Sequence, residues 1–321
     1  MALAIRFHDQ VQQPHAASLR EEALAGFAAS PKQISPKFFY DRRGSELFEQ
    51  ICQQPEYYLT RTEEQILADS ADEIREIAGP QTDLIELGSG ASRKVRLLLE
   101  HLRPISYLGI DISEDFLLTS TQRLAADYPW LDVHAACADF CDGLKWPDDF
   151  RIHHPLIFFP GSSIGNFTPA QARQLLKHLQ EILPPGGGLL IGVDLIKDKA
   201  VLEAAYNDDA QVTAAFNLNL LQRIRSELDC DIDPSRFAHR AFFNERESRI
   251  EMHLVSRERQ EVLLEGQRFH FEAGESLHTE NSYKYSLASF SALAESAGFA
   301  CRRHWTDADA LFSVHYLKRQ S

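Results

Sequence analysis

The chain has 321 residues, 44% of them hydrophobic, enough for the core of one large domain or two smaller ones without disulfide support. Its 47 acidic and 33 basic residues give a formal net charge of −14, a field that repels phosphodiester backbones and anionic lipid headgroups, so neither nucleic acid nor a membrane is expected as a partner. The start, Met1 to His8, lacks the basic segment and apolar core of a signal peptide, and no apolar run reaches membrane-spanning length; the expectation is a cytoplasmic monomer.

Residues up to about Thr60 are polar and then aromatic, with Lys37-Phe38-Phe39-Tyr40-Asp41 and Pro55-Glu56-Tyr57-Tyr58 on either side of a helical stretch, Ser45 to Gln53. Apolar positions at Ile66, Leu67, Ala71 and Ile74 predict an amphipathic helix over 63–77. From Thr82 to about Asp194, short apolar strands (83–87, 106–111, 156–159, 188–193) alternate with helical patterns (95–102, 170–183). Such alternation predicts an α/β fold, a parallel sheet covered on both faces. From Lys197 to about Tyr285 the pattern becomes a long helix, 212–228, followed by strands at 241–244, 249–255 and 268–271, which reads as an α+β insertion. The tail returns to a helix, 287–297, a stop at Gly298, and two strand-like runs ending at His315-Tyr316-Leu317 that complete the first sheet. The chain therefore divides into an N-terminal region (1–60), a Rossmann-like core (61–196), an α+β insertion (197–285) and a return to the core (286–321).

In an open α/β sheet, ligands sit beyond the carboxyl ends of strands, where glycine lets backbone approach them. Glu86-Leu87-Gly88-Ser89-Gly90 stands at such an end. A dinucleotide fingerprint requires a third glycine where Arg93 stands, which weakens a nicotinamide reading. Glu86-x-Gly88-x-Gly90 instead resembles the first motif of class I methyltransferases, whose cofactor is S-adenosylmethionine. Asp111, at the end of the next strand, suits the ribose hydroxyls, because one carboxylate accepts both protons. Asp139 and Phe140 suit the adenine, the acid on the exocyclic amine and the ring against the base. Lys94, at a helix start, is placed to reach the methionine carboxylate. The five cysteines, Cys52, Cys137, Cys141, Cys230 and Cys301, show no paired ligand spacing, and His270 and His278 lack a recognisable third ligand, so no metal is expected.

Longer motifs narrow the family. Phe39-Tyr40-Asp41-x-x-Gly44-Ser45, Pro55-Glu56-Tyr57-Tyr58-x-Thr60-Arg61-Thr62-Glu63, Gly161-Ser162-Ser163-Ile164-Gly165-Asn166, Arg249-Ile250-Glu251-Met252 and Thr279-Glu280-x-Ser282 resemble the histidine-specific Nα-methyltransferases of ergothioneine biosynthesis. The resemblance spans nearly the whole chain. It implies that 1–60 and 197–285 together form a substrate-binding domain, with a histidine substrate between the methyltransferase domain and the insertion, methylated three times on its amine to the betaine hercynine. It implies that Asn166 and Tyr206 hold the substrate carboxylate, and that Tyr40 and the Gly161 carbonyl face the amine. Tyr57, Glu280 and Ser282 would grip the imidazole, with Phe48 and Met252 shaping the pocket. A carboxylate and a hydroxyl can serve both imidazole nitrogens, whereas an indole offers one N–H and no acceptor, so Glu280 with Ser282 favours histidine over a prenylated tryptophan. Leu59 and Ser163 depart from the family's usual proline and threonine without touching a polar contact. The competing readings are methylation of another amino acid, such as a tryptophan or histidine derivative, and a non-catalytic protein that binds S-adenosylmethionine or an amino acid. Residue by residue, Tyr57 and Tyr58 are also compatible with packing aromatics, and Asn166 with a helix cap.

Overall fold

The computed structural model describes residues 5–9, 15–140 and 144–320. From the N-terminus come β1 (Arg6–Asp9), α1 (His15–Ala28), β2 (Lys32–Gln33), α2 (Arg42–Ile51) and α3 (Tyr58–Ala78). The alternating region holds β3 (Asp83–Leu87), α4 (Val95–Leu102), β4 (Ser106–Asp111), α5 (Glu114–Asp127), β5 (Asp132–Cys137), β6 (Pro155–Phe159), α6 (Pro169–Ile182) and β7 (Gly188–Asp194). The insertion holds α7 (Lys199–Ala204), α8 (Val212–Glu227), β8 (Phe237–Asn244), β9 (Arg249–Ser256), β10 (Gln260–Leu264), β11 (Gln267–Phe271) and β12 (Ser276–Tyr283). The tail adds α9 (Leu287–Ser296), β13 (Phe299–Thr306) and β14 (Phe312–Arg319).

These elements form two compact units. Among the described residues the first comprises 5–9, 59–140, 144–196 and 283–320, and the second 15–58 and 197–282. The sheet of the first unit runs β1-β5-β4-β3-β6-β7-β14-β13. Strands β1 to β7 pair in parallel, whereas β14 is antiparallel to β7 and β13 to β14. Every residue of β3, β6 and β7 is buried, as a sheet covered on both faces requires. Ile85, Leu108, Ile157 and Ile191 pack with Leu175, Leu176 and Leu179 of α6 and Phe290 of α9. The chain runs outward from β3 through β4 to β5, then crosses back to β6, so the direction of winding reverses at β3. That switch point is where an open α/β sheet leaves a crevice for a ligand.

Residues 6–9, grouped from sequence with the substrate-binding domain, instead form the edge strand beside β5, in register from Arg6 with His134 to Asp9 with Cys137. Four residues reading Arg-Phe-His-Asp carry no periodic signal, and only the pairing reveals the strand. Of the two neighbouring cysteines, Cys137 is buried on β5, while Cys141 lies outside the described residues.

The second unit has a sheet in the order β2-β12-β9-β8 and a hairpin, β10-β11. The hairpin turns on Glu265 (φ 51°) and Gly266 (φ 75°), the two positive dihedrals that a two-residue turn of right-handed twist demands. Helix α8 packs on α2 and on β8. Strand β8 begins at Phe237, ahead of the Ala241 expected from sequence, because Phe237-Ala238-His239-Arg240 pairs fully with His253 to Ser256 despite its polar residues. Among the described residues, no helix is long and apolar enough to cross a membrane.

Candidate active site

At the switch point the first unit brings the residues expected for the cofactor into one cradle. Gly88 (φ 66°) and Gly90 (φ 48°) adopt left-handed backbone, and the N–H groups of Gly88 and Ser89 both donate to the Ile110 carbonyl, at 2.8 and 3.1 Å. A Cβ on Gly88 would meet nothing within 4 Å, so open space faces it; the buried Ser89 Oγ has no partner. An unpaired buried hydroxyl beside an open glycine fits a site whose polar partner arrives with a ligand. Asp111 receives the Gly90 N–H at 2.8 Å and the Ser113 N–H at 2.9 Å, which ties the end of β4 to the loop. Burial raises its pKa against the lowering effect of these N–H bonds. Glu86 lies within the protein and accepts the Tyr107 hydroxyl at 2.6 Å. Burial pushes its pKa up to about 8, the Tyr107 bond and Lys94 opposing this. Phe140, next to Asp139 just past the end of β5, packs edge-on against Phe159, at 5.5 Å between ring centres.

One residue ties this cradle to the loop after β6, and it carries no role in the sequence reading. Glu63, fully buried on α3, accepts the Gly161 N–H with both oxygens, at 2.8 and 3.1 Å, and pairs with the Lys94 ammonium at 2.6 Å. Room for it exists because Gly192 has no side chain: a Cβ there would lie 2.0 Å from Glu63 Oε1. Lys94, expected at the methionine carboxylate, is thus held from behind by Glu63. The only hint in the sequence is the place of Glu63 at the end of the motif Thr60-Arg61-Thr62-Glu63. Gly161 (φ 79°) opens the turn that ends at Asn166. Ser162 Oγ accepts the Asp194 N–H at 2.9 Å and fixes the turn to β7. The cap of α6 is Thr168, in a reciprocal capping box with Gln171, so the capping reading of Asn166 does not hold.

The second unit gathers the aromatic set. Tyr40 lies against Phe48, Phe48 against Tyr57 and Tyr57 against Tyr206, at 5.7, 6.3 and 6.3 Å between ring centres. The Tyr206 hydroxyl donates to Ser282 Oγ at 2.8 Å, so a residue implied for the substrate carboxylate and one implied for the imidazole are bonded to each other. Burial, with Tyr206, Cys52, Tyr40 and Glu280 around it, pushes the Tyr57 hydroxyl well above its ordinary range and keeps it a neutral donor and acceptor. Glu280 and Ser282 stand two apart on β12 and therefore share a face, opposite buried Thr279. Met252 is buried on β9, its carbonyl accepting the Thr279 hydroxyl at 3.1 Å. The neighbouring Tyr58 takes Lys197 on both its hydroxyl and its ring.

Local geometry explains the motif around Tyr40. Asp41 caps α2, accepting the Gly44 N–H at 2.6 Å, and also takes Asn219 of α8 at 2.9 Å. Gly44 is obligatory there, since a Cβ would come within 1.7 Å of the Phe39 carbonyl. The spacing Tyr-Asp-x-x-Gly thus fixes the backbone that presents Tyr40.

The family model described as "Histidine-specific methyltransferase, SAM-dependent" matches residues 19–319. The chain belongs to this family. Its methyl donor is S-adenosylmethionine, and its sheet is the class I methyltransferase sheet. Among relatives of this methyltransferase, the histidine N-alpha-methyltransferase of Mycolicibacterium smegmatis is 42% identical over 311 residues, covering 95% of this chain and 96% of that one. The enzyme of the same name from Mycobacterium tuberculosis is 39% identical, covering 90% and 91%. Ergothioneine biosynthesis protein 1 of Neurospora crassa is 37% identical over 199 residues, 60% of this chain and 22% of that larger protein.

Proposed function

We propose that this methyltransferase trimethylates the α-amine of free L-histidine to hercynine. The observation that carries the acceptor reading is Glu280 and Ser282 on one face of β12, with Tyr206 bonded to Ser282 and Tyr57 beside Tyr206 and Glu280. That group offers an imidazole an acceptor for one nitrogen and a hydroxyl for the other. Phe48 and Met252 supply the apolar wall, Asn166 takes the carboxylate, and Tyr206 serves it once released from Ser282.

Bound S-adenosylmethionine supplies an activated methyl group on a sulfonium. The protein's task is to hold a neutral amine in line with the S–CH₃ bond and to exclude water. A peptide α-ammonium has a pKa of about 8, and that of a free amino acid lies higher because a carboxylate replaces the amide carbonyl; the cost of losing the proton near neutrality is still modest, so no strong base is needed. In this proposal the Tyr40 hydroxyl and the Gly161 carbonyl orient the nitrogen through three rounds. Asp111 holds the ribose, Asp139 and Phe140 the adenine, and Lys94 the methionine carboxylate, with Glu86 and the loop Gly88-Ser89-Gly90 beneath. The working species is a cytoplasmic monomer acting on a small molecule, in keeping with a net charge of −14 that disfavours nucleic acid.

Incubation with S-adenosylmethionine and a mixture of amino acids, followed by mass spectrometry, tests the reading. Histidine should gain one, two and then three methyl groups. Trimethylation of a different amino acid would overturn the substrate, and cofactor binding without any methylated product would overturn the enzyme reading.

A further inference from the structure

Sequence spacing conceals a cluster on the last two strands of the large sheet. In a regular strand, positions three apart face opposite sides, so Cys301 and His304 would diverge. Here the register of β13 slips between Cys301 and Arg303: Cys301 stands opposite Leu317 and His304 opposite His315 on β14. Leu317 and His315 are two apart and share a face, so the bulge brings Cys301 and His304 to that same face. One ligand atom from each of Cys301, His304 and His315 falls within 4.8 Å of the others.

The deepest of the three is already oriented. Ser313 Oγ donates to the Val193 carbonyl at 3.2 Å, which leaves its oxygen to accept from His315 Nε2 at 2.9 Å. His315 therefore carries its proton on Nε2, and the lone pair of Nδ1 faces Cys301 Sγ at 3.8 Å. A tetrahedral zinc with Zn–S and Zn–N bonds of about 2.3 and 2.0 Å separates sulfur from nitrogen by about 3.5 Å. A ligating histidine held through its other ring nitrogen is the usual outer-shell arrangement of such sites. His304 is exposed and provides the route in.

We propose that Cys301, His304 and His315 form a three-ligand site for a soft divalent cation of the Zn²⁺ class, its fourth position open to solvent. The Cys301 thiol gives its proton to water as the metal–sulfur bond forms, and the two imidazoles donate lone pairs. A thiolate with two imidazoles selects such a cation over magnesium or calcium. Two other groupings lack this arrangement. His8 and His134 stack at 5.6 Å, as do His253 and His278 at 4.5 Å, and Glu251 beside the latter pair is already held by Arg249 at 2.7 Å.

Titration of the chelator-treated full chain with Co²⁺ tests the proposal. One equivalent should bind and give a near-ultraviolet thiolate-to-cobalt band, with Zn²⁺ displacing it. Cys301→Ser should abolish the band while leaving far-ultraviolet circular dichroism and S-adenosylmethionine affinity unchanged. His304→Ala, a change at an exposed position that does not threaten folding, should weaken Co²⁺ binding by roughly tenfold or more. Absence of a band at millimolar Co²⁺, a band surviving Cys301→Ser, or unaltered affinity in His304→Ala would each sink the site.

Discussion

Glu63 joins two groups to which the proposed function gives different substrates. Its carboxylate holds the N–H of Gly161, whose carbonyl is proposed to face the amine, and the ammonium of Lys94, proposed for the cofactor. Glu63→Gln keeps an oxygen for Gly161 but removes the charge opposite Lys94. Leaving one partner of a buried pair uncompensated costs about 3 kcal/mol or more, reduced here by the partial exposure of Lys94. The expected outcome is a rise of roughly tenfold or more in the Kd for S-adenosylmethionine by calorimetry. Unchanged cofactor affinity would separate Glu63 from the cofactor side. Glu86 offers a second test at this scale, through pH. Burial raises its folded pKa from 4.5 to about 8, so the folded state prefers the protonated form. The stability that this group contributes is therefore full below about 4.5 and lost as pH rises through 8. Glu86→Gln should gain in Tm relative to the unsubstituted, cofactor-free protein as pH rises from 5 to 8. A Tm difference independent of pH over that interval would show that Glu86 is already ionised. Glu86 and Asp111 were legible because they stand at strand ends beside glycines. Glu63 was not, because its partners lie far away in sequence and a mid-helix glutamate looks like any solvated one.

At the scale of elements, the motifs that carry the resemblance prove to be devices of backbone geometry. Asp41 and Gly44 never need to touch substrate: the first caps α2 and the second lets that helix pass the Phe39 carbonyl, and Tyr40 stands between them in consequence. Gly44→Ala should thus damage the acceptor side alone, with histidine turnover falling by roughly two orders of magnitude for a displacement of about 1 Å. The Kd for S-adenosylmethionine should stay within a factor of two or so, since Gly88, Asp111 and Asp139 belong to the other unit. Equal loss of cofactor binding would mean that the substitution unfolds the chain. Long alternating elements were readable from sequence, and β3, β4, β6 and β7 stand within a residue of their expected limits. Elements whose stability comes from partners were not. Strands β1 and β2 are short and polar, β5 carries a buried histidine, and the bulge that aligns Cys301 with His304 has no signature in a single strand.

At the scale of the whole chain, the second unit is made from a segment near the N-terminus and an insertion into the first, so the sheet must tolerate a long excursion between β7 and β14. The excursion is closed at its base, within the first unit. Leu195 bridges Tyr285 in parallel, Ile196 donates to the Tyr285 carbonyl at 2.9 Å, and Tyr285 donates to the Asp194 carbonyl at 3.1 Å. Beneath these bonds Asp194 and Lys284 form an ion pair at 2.6 Å, both side chains fully shielded from solvent. Two ions withdrawn from water gain little net stability from their attraction, but either one left alone is costly. Lys284→Met should therefore destabilise the protein by about 3–5 kcal/mol, read as a fall in the urea midpoint at unchanged slope. Asp194→Leu combined with Lys284→Met should recover most of that loss, because an apolar pair of similar volume replaces the ions without leaving a charge behind. If the double variant is instead as unstable as the single one, the clasp depends on the further hydrogen bonds of Asp194 rather than on charge balance. In that case the Ser162 contact to its backbone, which anchors the Gly161–Asn166 turn, becomes the link through which closure of the insertion reaches the site.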